Sequence, residues 1–102
     1  LSEGDEPPGP EDAFVVPVTG ELDLHNFAPR DIPSVVEEYV RACREQGLLS
    51  LRLVHGRGQG VQRAVVRRVL GRLDAVIAFD DAPPLLGGWG ATLVRLAPQE
   101  GL

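Results

Sequence analysis

A chain of 102 residues with 43% hydrophobic side chains has the length and composition of one folded core with a tail, too short for two. No apolar run approaches the roughly 20 residues of a membrane helix, no basic-then-apolar leader pattern is present, and the single cysteine, Cys43, excludes an intramolecular disulfide. The net charge of −5 is carried by residues 1–12, where Glu3, Asp5, Glu6, Glu11 and Asp12 stand without a base; from Ala13 onward acids and bases balance. These features fit a cytoplasmic protein without a membrane partner.

Residues 1–12 are rich in Pro and Gly and bury too little apolar surface to offset their ordering entropy, so they read as a disordered acidic tail. Phe14–Val18 is strand-like, but Pro17 cannot donate to a ladder, which limits it to an edge or lead-in strand. Thr19-Gly20 turns the chain. Glu21–His25 then alternates with period two: Leu22 and Leu24 face the core, while Asp23 and His25 share the opposite face. On one face they need not touch directly.

Asp31 is placed to cap a helix with Pro33 in its first turn, and Ile32, Val36, Tyr39, Val40 and Cys43 form its apolar stripe. Gly47 ends it at C′. Cys43 on that stripe is core filling. Leu49, Leu51, Leu53 and Val54 begin a central strand that runs into His55 and the glycine-rich loop Gly56-Arg57-Gly58-Gln59-Gly60. A second helix follows, with Val61, Val65, Val69, Leu70 and Leu73 as its predicted buried stripe. Ala75–Phe79 and Ala91–Leu96 read as the last two strands, joined through Asp80-Asp81-Ala82-Pro83-Pro84 and the turn-rich Leu85–Gly90.

The order β-α-β-α-β-β predicts a small two-layer α/β domain over residues 13–97, with a mixed sheet of about four strands and residues 98–102 as a C-terminal tail. Its β-α-β units imply parallel neighbours, and its last pair reads as antiparallel.

In open sheets ligands bind beyond the carboxyl ends of parallel strands, where His25 and His55, the only histidines of the chain, are both expected. The loop after His55 opens a helix, and backbone N–H groups at such a junction favour phosphate. Between residues 46 and 73 lie Arg52, Arg57, Arg63, Arg67, Arg68 and Arg72 and no acid. Such local asymmetry suits a polyanion, and equally a solvated helix face. The glycine loop imitates a dinucleotide fingerprint, but the third glycine falls one position early. Two histidines and Asp23 fall short of a structural zinc set, so no metal ligands are assigned.

Leu22-Asp23-Leu24-His25, His55-Gly56-Arg57-Gly58 and Gly87-Gly88-Trp89-Gly90-Ala91-Thr92-Leu93-Val94-Arg95-Leu96 resemble, in order and spacing, the three signatures of the Smr (small MutS-related) domain family, in its stand-alone bacterial form. The resemblance covers Glu21 to Leu96. It implies a fold like the C-terminal domain of translation initiation factor three, and nucleic-acid binding, with endonuclease activity in several members and none established in others. Asp23 and His25 match positions linked to cleavage, and His55, Gly56 and Gly58 match the second signature. Asn26 departs from the glycine that many members carry after the first signature, and the loop from Gly56 to Val61 is short.

The site expected on this basis takes Asp23, His25 and His55 as catalytic, with Gly56, Arg57, Gly58, Gly60, Arg63, Trp89 and Thr92 contacting nucleic acid. His25 serves as general base or acid, and Arg57 grips phosphate oxygens. Trp89 either stacks on a base or closes its turn over the second helix. The activity expected is an endonuclease, a nicking DNase or an RNase, acting on structured RNA or branched DNA; the alternative is a non-catalytic binding module. RNA can be cut through its 2′-hydroxyl without metal, whereas DNA makes a divalent ion such as magnesium the expected cofactor. A protein partner or a larger parent chain is the other expected association.

Overall fold

The computed structural model describes residues 17–58 and 60–99. The acidic tail and most of the strand expected at 14–18 lie outside the described residues; Pro17 and Val18 within them are not in a strand. Four strands and two α-helices follow: β1 (Glu21–Asp23), α1 (Ile32–Glu45), β2 (Ser50–Val54), α2 (Val61–Gly71), β3 (Val76–Asp81) and β4 (Ala91–Leu96). Short 3-10 turns occupy Pro29–Asp31, Pro84–Leu86 and Gly88–Gly90.

The sheet order is β1-β2-β4-β3, with β1 and β2 parallel and β4 antiparallel to both neighbours. The expected mixed four-stranded sheet is therefore present. The second β-α-β unit is split, however, because β4 returns between β2 and β3, which are not neighbours. β4 carries Ala91, Thr92, Val94 and Leu96 in buried positions, and such a strand gains most from the centre of the sheet.

One face of the sheet carries the row Leu22, Leu53, Thr92, Asp81 and the helices; the other carries Glu21, Arg52, Leu93, Asp80. The core joins Leu22, Leu24, Leu51, Leu53, Val94 and Leu96 of the sheet to Ile32, Val36, Tyr39, Val40 and Cys43 of α1 and Val66, Val69 and Leu70 of α2. The α1 stripe is the one expected. The α2 stripe is rotated: Val66 is fully buried, Val65 only partly, and Val61, in the first turn, is 61% exposed.

Local chemistry sets the ends. Asp31 closes a 3-10 turn and makes no side-chain cap, so it does not serve as the expected N-cap of α1. At the other end Gly47 (φ +79) takes C′, where Leu48 N–H bonds Cys43 C=O at 2.8 Å and Gly47 N–H bonds Arg44 C=O at 3.1 Å. That is the Schellman pattern. The Tyr39 hydroxyl accepts from Gly20 N–H (2.9 Å) and donates to Glu21 C=O (3.1 Å), tying α1 to the turn that launches β1. Among the described residues no helix is long and apolar enough to cross a membrane.

Candidate functional site

β1 ends at Asp23, two residues short of the expected strand, and the chain turns immediately. In that turn Asp23 Oδ1 accepts from the backbone N–H of His25 at 2.9 Å and from His25 Nδ1 at 2.6 Å. The two side chains therefore touch, where same-face strand neighbours would stand further apart. A carboxylate can only accept, so Nδ1 carries the proton and the Nε2 lone pair is left free. The backbone bond from His25 is the main cause that holds the Asp23 carboxyl below its ordinary range; burial opposes it, and the hydrogen bond and charge of the imidazole add to the lowering.

His25 Nε2 is aimed at the start of the glycine loop. A Cβ on Gly56 would lie 2.8 Å from Nε2, so the bare backbone of Gly56 is what lets the two strand ends close up. Gly56 also has φ +81, a conformation that favours glycine. Its N–H and that of His55 both bond Gly90 C=O, at 2.8 and 3.1 Å, which brings the third signature against the second.

His55 lies beneath this contact. It is only 4% exposed, with Nε2 2.8 Å from Thr92 Oγ1 and Nδ1 3.0 Å from Gly56 C=O. The carbonyl must accept, so Nδ1–H donates to it and neutral Nε2 receives the Thr92 hydroxyl proton. Burial pushes the His55 pKa down, as do the charges of Arg63 and Arg67; the Gly56 carbonyl and Asp81 oppose the shift. His55 is thus a buried neutral clamp on the loop, and Thr92, with no exposed surface, bonds His55. The sequence pattern takes both as contacting the substrate. Strand position places a residue at the site's end of the sheet but does not give its depth, and both side chains lie beneath the surface.

The cations divide into two groups. Arg63, expected on nucleic acid, grips Asp81 through Nε and Nη2 at 2.9–3.0 Å. Arg67 also approaches Asp81 (3.5 Å) and lies over the Phe79 ring, 5.1 Å from its centroid. Arg52 pairs with Glu21 and donates to Leu86 C=O at 2.8 Å, and Arg72 pairs with Glu37. These acids come from β1, α1 and β3, so four of the six arginines in the acid-free stretch meet carboxylates brought from elsewhere in the fold. Arg57 forms no ion pair among the described residues and is exposed. Its side chain runs along the third signature: a Cβ on Gly88 would lie 2.9 Å from Arg57 Nη2, and one on Gly90 3.1 Å from Cγ.

Gly58 (φ +40) and Gly60 (φ +80) complete the loop, and Gly60 is the N-cap of α2. Ala64 N–H makes a bond to Gly60 C=O at 3.0 Å, and the N–H groups of the first turn before it have no partner within the helix. Trp89, 43% exposed, closes over this helix start, since its ring would lie 4.0 Å from a Cβ on Gly60. Sequence reasoning missed the close-approach role of Gly87, Gly88 and Gly90. The clustering of glycines around a lone tryptophan was the available signal.

The resulting site is a mouth between β1, β2 and the 84–90 segment, with a carboxylate–imidazole pair on one lip and Arg57 and the α2 start on the other. Among the described residues no three metal-ligating side chains converge, and Asp23 and His25 already spend a donor–acceptor pair on each other. This donor set does not build a metal cage.

A family model described as the Smr domain matches residues 22–97. The endonuclease MutS2 of Thermus thermophilus is 40% identical over 78 residues, covering 76% of this chain and 10% of that protein. The ribosome rescue factor SmrB of Tolumonas auensis is 33% identical over 75 residues, covering 74% of this chain and 43% of its own length. Both relatives are therefore far longer than the part this chain matches. The crystal structure of the Smr domain of the Thermus thermophilus MutS2 superposes with a TM-score of 0.74 at 39% identity, covering 78% of this chain and 100% of that one. The stand-alone small MutS-related protein YdaL of Escherichia coli superposes with a TM-score of 0.71 at 28% identity, covering 76% of this chain and 63% of that one.

Proposed function

This chain belongs to the Smr domain family, and on that footing we propose that it binds nucleic acid in the mouth beside Gly56 and cleaves phosphodiester bonds there. The names of two relatives, an endonuclease and a ribosome rescue factor, support that class of activity. The single observation that carries it is the 2.6 Å contact of Asp23 with His25, which fixes the imidazole tautomer and leaves Nε2 free beside the glycine loop.

Arg57 and the first-turn N–H groups of α2 receive the phosphate, the guanidinium gripping two oxygens and the helix dipole adding positive potential. His25 Nε2 takes a proton from the attacking oxygen, and Asp23 stabilises the imidazolium that forms. On RNA the nucleophile is the 2′-hydroxyl. Its oxygen bonds phosphorus, the bond to the 5′-oxygen breaks, and the imidazolium returns its proton to that oxygen. The products are a 2′,3′-cyclic phosphate and a free 5′-hydroxyl. On DNA water takes the place of the sugar hydroxyl as nucleophile. His55, Thr92, Arg63 and Asp81 hold the loop and helix and do not meet the substrate.

A non-catalytic binding module is the second reading, and the openness of the dyad favours it: the His25 and Asp23 side chains are 56% and 63% exposed, so water is not excluded from the base. End-labelled RNA hairpins and branched DNA, incubated with magnesium or with chelator, separate the two. Cleavage that disappears in His25→Ala supports the nuclease and identifies its substrate. Salt-sensitive binding without cleavage establishes the module.

A further inference from the structure

The largest exposed apolar side chains that adjoin the mouth have no role in phosphate chemistry. Leu85 is 97% exposed, Leu86 46% and Trp89 43%, all within eight residues of Pro83 in the segment that roofs the site. Val61, 61% exposed, stands beside them in the first turn of α2, next to Gly60, on which Trp89 closes. This is a continuous stretch of chain, not scattered surface leucines. Exposed apolar side chains grouped on one such segment mark a contact.

The segment is built to hold those side chains out. Leu86 N–H and Gly88 N–H both bond Pro83 C=O (2.8 and 3.0 Å), and Gly90 N–H bonds Gly87 C=O (3.0 Å). Two 3-10 turns result, and the left-handed glycines Gly87 (φ +115) and Gly88 (φ +56) join them. Arg52 Nη1 fastens the first turn by its Leu86 carbonyl. The second turn lies against the exposed Arg57 side chain. Trp89 stands between Gly88 and Gly90, the two glycines that approach Arg57, so this turn can offer an aromatic face to a base beside a phosphate held on the guanidinium.

We infer that Leu85, Leu86 and Trp89 form a wedge that takes up unpaired nucleobases next to the phosphate on Arg57, so that this site selects nucleic acid with unstacked bases. The inference rests on the nucleic-acid reading above and adds the substrate feature that reading leaves open. A base inside a continuous duplex has both faces stacked and cannot offer one to Leu85 or Trp89. An unpaired base has a free face, and stacking on apolar and aromatic side chains is tolerant of base identity.

The test uses dye-labelled hairpins, of DNA and of 2′-O-methyl RNA (which cannot be cut through the sugar hydroxyl), each with a normal loop and with a loop of abasic residues. The phosphates are identical within each pair, so only the bases differ. The intact chain is expected to bind the normal hairpin about tenfold or more tightly than its abasic twin. Trp89 is the only tryptophan of the chain, and its fluorescence should be quenched by the normal hairpin and not by the abasic one. The Leu85→Ser/Leu86→Ser chain should lose the discrimination while retaining the salt dependence of binding. Leu85, fully in solvent, can be replaced without loss of fold, and Leu85→Ser alone provides the control if the double variant unfolds. Equal affinities for the two hairpins, without differential quenching, overturn the wedge and leave the nucleic-acid reading intact. Absence of salt-sensitive binding to every hairpin overturns both.

Discussion

At the scale of single residues, two close contacts decide what the mouth can do. The first is Gly56 against His25 Nε2, at a separation no Cβ tolerates. Gly56→Ala is therefore expected to push the imidazole off its line and strain a left-handed backbone, lowering cleavage about 100-fold, as misplacement by an ångström can. Single-turnover rates and affinities measured on the same hairpin check this. The second contact is His55 with Thr92. Because burial depresses the His55 pKa below 6.5, the unfolded chain binds the proton more readily. The stability His55 contributes is complete above about pH 6.5 and declines as pH falls from there toward its folded pKa. Urea midpoints should drop between pH 7.5 and 5.5, and most of that slope should vanish in His55→Gln. The Asp23 carboxyl, also depressed, acts in a lower window: its contribution is present above 3.8 and is lost as pH falls through its folded value.

At the scale of elements, α2 is where the sequence is most misleading. Its valines repeat at helical spacing from Val61, yet Val61 is exposed while Val66 and Leu70 are buried. The helix starts at the rim of the mouth, so its first turn overhangs the site and only its later turns cross the sheet. Leu70→Ala is expected to cost about 2–5 kcal/mol, and Val61→Ala to stay within about 0.5 kcal/mol, in denaturant titrations. The stripe and the end of α1 were legible, because its stripe residues cross the sheet and Gly47 marks its end, whereas its start was not, since Asp31 closes a 3-10 turn instead of capping. The position of β4 was not legible. Periodicity gives a strand and its faces, but not which neighbours it inserts between, and here the long-range pairing of Leu51 with Val94 decided it. The Asp23–His25 pair was legible as one face, whereas its direct contact depends on the turn after Asp23, which alternation continues through and so conceals.

For the whole molecule, charge counted along the chain overstated the basic surface. The fold delivers Glu21, Glu37 and Asp81 to arginines that have no acidic sequence neighbours, and leaves Arg57 at the mouth. Removing Arg57 should weaken nucleic-acid affinity and reduce the slope of log affinity against log salt by about 1. Arg63→Ala should leave that slope unchanged and instead lower the unfolding midpoint, since it removes the bidentate partner of the part-buried Asp81 and leaves it only the longer contact with Arg67. Equal effects of the two substitutions on the salt slope would mean that the Asp81 pair opens on binding.

Catalysis by the Asp23–His25 pair is tested most directly by Asp23→Asn, which keeps the size of the side chain but cannot hold Nδ1–H in the same way. Rate and affinity are measured together on an RNA hairpin and a branched DNA. Cleavage reduced by about 100-fold or more, with affinity within a factor of about three, is the result this site predicts. Cleavage at the intact rate would contradict it and place the reacting groups elsewhere in the chain.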